Sequence, residues 1–417
     1  MKHYLLIPAV MAMAIVLAGC ETIQEPSDQV AKVQTNSTST RGSEIGDRPY
    51  SLSEVIRIAD NTLSVTPATS PRKLVEPVLL NDNTLSSQIL SDTVAYIVNY
   101  GQKDGFVIVA NDSRLPDPIA YNTKGHFDSA NPSAKVAFLD RIETYLASLN
   151  SPETQNQQKS KSASSPVRRF IIGPQINLPL GCTNTFNEVI GKYHSGAYVS
   201  TGCIAMATLL TYCKDTLVYH NYYYDFPKCA QDVRSHFGPA SISQTELNYT
   251  KPDNPPTPVN PPKPGYFYFL DGISAYNQLL YDLGEDTKTT YYEDDAPYTS
   301  MMDVYNRLFY LDLSLTPLKL KNFSTIIQLL NDEYYVEMWG EVKSKDGSVP
   351  ELYFMSPTFT WIIDGCDVYV DSTGNPLDGM LHCVWGHFGL GDGYYSYPVL
   401  LQDDNYDFSL SFYWGVK

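Results

Sequence analysis

The chain has 417 residues, with 46 acidic side chains against 29 basic ones and a formal net charge of −17. No basic run or stripe is present to neutralise phosphates, which argues against a nucleic-acid partner. Beyond the first twenty residues no stretch is long and apolar enough to span a bilayer.

Lys2 and His3 precede an apolar run from Tyr4 to Val16. The run is too short for a membrane span and has signal-peptide flanks. It ends in Leu17-Ala18-Gly19-Cys20, which resembles a bacterial lipoprotein box. Processing there would leave Cys20 as a lipidated first residue, holding an exported protein at the cell envelope through acyl chains. An ordinary secretory signal with a chance cysteine is the alternative. Residues 21–48 are polar and poor in aromatics, so they read as a disordered tether.

A first folded region runs over 49–150. Ser51-Leu52-Ser53-Glu54 has the form of a capping box, and Leu52, Val55 and Ala59 continue one helical face. Thr93 to Tyr100 and Phe106 to Ala110 are β-rich, and the glycines of 101–105 between them signal a hairpin. Asn131-Pro132 opens a helix with Val136, Leu139, Ile142, Leu146 and Leu149 inward. Residues 151–169 are rich in Ser, Gln and Lys without an apolar period, and read as an exposed linker.

A second region spans 170–417, long enough for a core of its own. Helices are predicted at 202–212, 273–283, 300–309 and 324–331, the second stopped by Gly284. Residues 251–265 hold seven prolines and read as a surface loop. The last third is strand-like, with Phe408, Leu410, Phe412 and Trp414 alternating. Helices followed by strands predict an α+β fold. Five further cysteines, at 182, 213, 229, 366 and 383, allow one or two disulfides in an oxidising compartment, with connectivity left open.

The chemistry gathers around Cys203. Ser200-Thr201-Gly202-Cys203-Ile204-Ala205 reads as a capped helix start, where free N–H groups favour a thiolate. Downstream come Trp361-Ile362-Ile363-Asp364-Gly365, then Leu381-His382-Cys383-Val384-Trp385-Gly386, then Gly391-Asp392-Gly393-Tyr394-Tyr395. In this order the segments resemble the active-site framework of the streptopain family, papain-fold cysteine peptidases. The phrase from Asp104 to Arg114 resembles that family's inhibitory Spi-like prodomain, which is related to separate small inhibitors. The resemblance implies a small α+β prodomain and then a papain-like peptidase domain, a helical part plus an antiparallel sheet. It places the nucleophile at Cys203 and a possible oxyanion donor at Gln175, although the tryptophan that precedes this glutamine in the family is absent here.

The same resemblance puts Phe359 at the base histidine, with Thr358 and Thr360 beside it. Val384 falls at the orienting asparagine, followed by Trp385. Phenylalanine cannot carry a proton, and Phe359 and Val384 are expected to pack as an apolar pair across adjacent strands. His387 is the candidate substitute base; His194 and His220 flank the nucleophile helix, and His382 is expected to make a structural hydrogen bond. A zinc set of Cys366, His382, Cys383 and His387 matches no standard spacing, and adjacent strand residues point to opposite faces, so neither metal nor cofactor is expected. The reading is a catalytically impaired peptidase homologue that binds peptides or a partner protein, such as a peptidase or a related prodomain, at the envelope. The alternatives are an active endopeptidase using Cys203 with His387, and an inhibitor or surface-binding protein acting through 49–150.

Overall fold

The computed structural model describes residues 50–64, 78–81, 93–100, 104–111, 117–125, 127, 168–182, 184–237, 266–269, 271–291, 297–318, 323–342, 358–371, 376–386, 389, 391–396 and 408–417. For some strand residues, Phe359 among them, the description is of the backbone only. The helix expected after Asn131, the proline-rich 251–265 and residues 151–167 lie outside this set, as do Cys20 and His387.

The first region starts with helix α1 (Leu52–Ser64). Its capping box forms: the Ser51 N–H donates to Glu54 Oε2 at 2.9 Å and the Glu54 N–H to Ser51 Oγ at 3.4 Å. Val55, Ala59 and Leu63 form its buried face, while Leu52 at the first turn is exposed. The helix covers one side of a sheet made of β1 (Val78–Asn81), β2 (Thr93–Asn99), β3 (Phe106–Ala110) and β4 (Ala120–Asn122). The expected β2–β3 hairpin pairing is antiparallel, Ile97 opposite Ile108. Every residue of β3 is buried because both its faces are covered. Val107 and Val109 pack beneath α1; Phe106, Ile108 and Ala110 face a second core on the other side.

That second core belongs equally to the second region. Strands β5 (Arg168–Ile172), β9 (Leu315–Leu318), β10 (Tyr335–Val342), β11 (Thr358–Val370), β12 (Pro376–Val384), β13 (Gly393–Ser396) and β14 (Phe408–Val416) continue the same sheet. The order is β1-β2-β3-β4-β13-β12-β11-β10-β14-β9, with β5 also paired to β11. β4 joins β13 through Tyr121 opposite Tyr394 and Ala120 opposite Tyr395. Ile97, Phe106, Ile108 and Phe127 share one core with Trp361, Leu381, Trp385 and Tyr395, capped by helix α7 (Phe323–Asn331).

The helical part precedes most of these strands in sequence and packs on the opposite face of the sheet. It holds α2 (Glu188–Tyr193), α3 (Thr201–Cys213), α4 (Phe226–Phe237), α5 (Gly272–Asp286) and α6 (Met301–Tyr310). A small sheet of β6 (Thr216–Tyr219), β7 (Tyr222–Asp225) and β8 (Phe267–Tyr268) flanks it. The fold is α+β, as expected. All four helices predicted in this region form, with one correction. α5 does not stop at Gly284 but runs to Asp286, and Gly284 is a glycine for a packing reason given below. The linker also ends earlier than its composition suggests. Arg168 and Arg169 are strand residues opposite Val370 and Tyr369, because Arg169 pairs with Asp367 at 2.5 Å.

All six described cysteines are free thiols, so no disulfide forms among them. Cys366 and Cys383 lie on neighbouring strands but out of step. Leu381 faces Cys366, and Ile363 faces Cys383.

Asp367 fastens the two regions together. It accepts from Arg169 Nε at 2.7 Å and from the buried Tyr121 hydroxyl at 2.6 Å. Tyr121 also stacks on Tyr394 with ring centroids 4.9 Å apart. Losing the first region would strip β13 of β4, one of its two neighbours, and bare apolar side chains worth about 1.5–3 kcal/mol each. Cutting at a protease site placed within 151–167 should therefore leave two pieces that co-elute at the parent's gel-filtration volume until denaturant is added. Separation into a folded, monomeric second piece without denaturant would contradict this.

Candidate functional site

Helix α3 presents Cys203 in its first turn. Ser200 is the N-cap, with extended backbone, and its Oγ accepts the Cys203 N–H at 3.1 Å. This satisfies one of the four donors a helix start leaves free. Thr201 Oγ1 accepts the N–H of Thr360 at 3.1 Å, which ties the helix start to β11 one residue beyond Phe359. Gly202 is close to α6; a β-carbon there would meet Val304 Cγ2 at 3.2 Å. The strand position that the resemblance gives to the base thus runs past the helix end carrying Cys203.

The thiol itself is sealed. Cys203 is 0% exposed. Its Sγ lies 3.7 Å from Thr289 Oγ1. Thr289 bonds Thr287 at 3.1 Å and Thr299 at 2.8 Å, and Thr299 donates to Ser200 Oγ at 2.6 Å. A chain of neutral hydroxyls therefore closes from the N-cap back onto the sulfur. Burial pushes the thiol pKa above its ordinary 9.0, and hydrogen bonds from Ser200 and the threonines offset this only in part. Burial and the uncharged partners thus favour the thiol over the thiolate, which is the form that attacks.

None of the described histidines bonds to it. His194 Nε2 is 3.2 Å from Glu285, His220 Nε2 is 3.0 Å from Asp286, and His382 Nδ1 is 2.5 Å from Asp364. His387, the candidate substitute base, lies outside the described residues. Phe359 sits in β11 opposite Gly340. Val384 is the last residue of β12 and faces Ile362, buried with it in the core beneath α3. In the backbone register Val384 is thus opposite Ile362 and not opposite Phe359, whose side chain lies outside the description. Trp385 packs between Trp361 and Tyr395, with centroids at 5.5 and 5.2 Å. The Gln175 side chain is exposed, and its backbone N–H is used on Asp364 Oδ2 at 2.9 Å.

Asp364 and His382 account for the Asp-Gly and His-Cys phrases structurally. The β11–β12 register slips between Ile363 and Gly365, so Asp364 is the unpaired residue of a bulge, which turns its carboxylate inward. There it takes His382 Nδ1 and the N–H groups of Gln175 and Ile176. Cys383, the next residue after His382, turns instead into the core around Trp361. Among the described residues no group of His, Cys, Asp and Glu is arranged to hold a metal. No motif marked Thr287, Thr289, Thr299 or Tyr291, which come some ninety residues after Cys203 in the sequence; their signal is only a run of threonines after a helix.

Burial alone would lower the His382 pKa, but the charge and hydrogen bond of Asp364 outweigh it and hold the imidazole above its ordinary 6.5. A histidine that binds its proton more tightly when folded stabilises the fold below pH 6.5 and loses that contribution as pH rises through the folded value. Asp392, which accepts the Trp385 N–H at 2.8 Å, is pushed up to about 7 by enclosure and acts in the same direction. The denaturant midpoint should fall from about pH 6 to about pH 9, with a shallower slope in His382→Asn. An equal slope in that variant would remove His382 from the account.

Residues 49–146 match the Spi protease inhibitor family. A stretch of 127 residues is 49% identical to the thiol protease/hemagglutinin PrtT of Porphyromonas gingivalis, covering 28% of this chain and 14% of that protein. A stretch of 140 residues is 26% identical to streptopain of Streptococcus pyogenes, covering 32% of this chain and 34% of that one. The matches thus span well under two thirds of either relative. Prointerpain A of Prevotella intermedia matches in structure with a TM-score of 0.48 and 16% identity, over 79% of this chain and 96% of that one. Stretches of the chain are thus similar to streptopain-type cysteine peptidases, and residues 49–146 match the Spi protease inhibitor family.

Proposed function

We propose that this chain is a streptopain-type peptidase homologue in which hydrolysis is impaired, and that it binds peptides or a partner protein at the cell envelope. The observation that carries the reading is the environment of Cys203. Its sulfur is fully buried, bonded to neutral hydroxyls alone, and pushed toward the protonated form. Hydrolysis by a thiol needs a thiolate, an imidazole to protonate the leaving amine, and room for a carbonyl carbon. General acid–base help alone is worth on the order of 10²–10⁴ in rate, and phenylalanine at 359 supplies none. Peptide binding follows from the relation to enzymes that act on peptides, and attachment to the envelope from Leu17-Ala18-Gly19-Cys20.

The activity test uses the purified chain under reducing conditions with unfolded casein and fluorogenic peptides. Its cleavage rate should equal that of Cys203→Ala. Cleavage that Cys203→Ala abolishes would establish an active endopeptidase instead, and His387→Ala would then ask whether His387 is its base. Fractionation checks the anchor: membrane recovery of the parent should be lost in Cys20→Ser, and unchanged recovery would overturn the lipid attachment.

A further inference from the structure

The pocket around Cys203 has one wall that the resemblance to peptidases does not explain. Gly284 lies inside α5, where a glycine costs stability relative to alanine. A β-carbon on Gly284 would fall on the Tyr291 hydroxyl and lie 3.7 Å from Cys203 Sγ. The phenol therefore reaches across the bare α-carbon of Gly284 to the neighbourhood of the sulfur. Its hydroxyl is buried there near Thr289, making no hydrogen bond at ordinary distance. The ring is clamped from its other face by His194, with centroids 4.3 Å apart and planes 25° apart, and Glu285 holds that imidazole.

We propose that Tyr291 is the stopper of the Cys203 thiol: its phenol, seated in the notch left by Gly284 and clamped by His194, fills the space that a reagent or a peptide carbonyl must enter to reach the sulfur. A reacting carbon has to come within about 3–3.5 Å of the nucleophile, and a seated phenol denies that approach. The inference rests on reading Cys203 as the family's nucleophile position, but it concerns access and not the missing base. Thiol exposure and peptide hydrolysis can therefore be read separately.

Iodoacetamide labelling of the full chain, resolved by peptide mass mapping, tests the proposal. Tyr291→Ala should raise the labelling rate at Cys203 by at least about tenfold, and Tyr291→Phe, which keeps the bulk, should stay within about twofold of the parent. Cys229 and Cys366, buried elsewhere, should not change, so general loosening is detected in the same digest. Gly284→Ala keeps Tyr291 in the chain but puts a methyl on the site of its hydroxyl, so the phenol must leave its seat; it should also expose the thiol, and it decides the matter if Tyr291→Ala does not melt cooperatively. A folded Tyr291→Ala or Gly284→Ala with Cys203 labelled no faster than the parent, or with all buried thiols accelerated alike, overturns the stopper. Casein cleavage is followed on the same variants. An exposed thiol without cleavage supports both readings. An exposed thiol with Cys203-dependent cleavage keeps the stopper and overturns the impairment. An unexposed thiol without cleavage overturns the stopper and leaves the impairment to rest on residue 359.

Discussion

The buried carboxylate of Asp364 is the constraint on which the second region is built. Taking a carboxylate out of water costs several kcal/mol unless it is paired and fully hydrogen-bonded. Asp364 is 0% exposed and receives His382 from β12 and the N–H groups of Gln175 and Ile176. These partners come from two stretches of chain just over two hundred residues apart. The bulge that aims Asp364 inward also shifts the alternation of β11. Trp361 and Ile363 face the sheet core before it, and Cys366, Val368 and Val370 face the same core after it. Gly365 then lets β5 approach, since a β-carbon there would meet the Ile172 carbonyl at 2.8 Å. The close approach brings the segment after β5 back to Asp364 and on toward α3. Loss of one partner would leave an uncompensated buried charge, a change of about 3–5 kcal/mol in comparable pairs.

Local signals were readable in the sequence where neighbours along the chain decide the outcome. The box at Ser51 and Glu54, the Cys203 helix start and the helices at α5, α6 and α7 depend on periodicity and caps within a few residues. The end of α5 is not legible locally, because a glycine normally signals a stop, whereas Gly284 makes room for Tyr291 from the next segment. The Asp364-Gly365 phrase stood out as a motif, but its meaning depends on His382, eighteen residues on and displaced by a bulge. Likewise motif positions alone do not give the backbone register, which sets Val384 opposite Ile362. Burial of Cys203 was the least readable feature, because Thr289, Thr299 and Tyr291 come some ninety residues later with no spacing that points back to it.

The Spi-type segment and the second region meet by the same mechanism that builds each of them, antiparallel pairing with alternate residues feeding two cores. Tyr121 shows how closely they are joined. Its backbone pairs with Tyr394, its ring stacks on the same residue, and its hydroxyl donates to Asp367. Asp367 in turn holds Arg169 of β5, the first strand after the linker. An attachment made of one ladder, one buried polar contact and a shared apolar core is the attachment of a layer within a domain. It is not that of a loosely tethered inhibitor.

The absence of an imidazole at 359 and the closure over Cys203 are physically consistent with each other. A thiolate–imidazolium pair shut away from water would carry the desolvation cost of two ions, so a site that keeps such a pair has reason to stay open. A neutral thiol has no such need. It behaves as a small apolar group that is favourably buried, and one weak hydroxyl contact from Thr289 satisfies it. With Phe359 in place of a cation, covering the sulfur with Tyr291 and the threonines gains packing without enclosing a charge. The pocket therefore suits the uncharged form of Cys203 on both counts: no charged group among the described residues bonds to the thiol, and burial disfavours ionisation further.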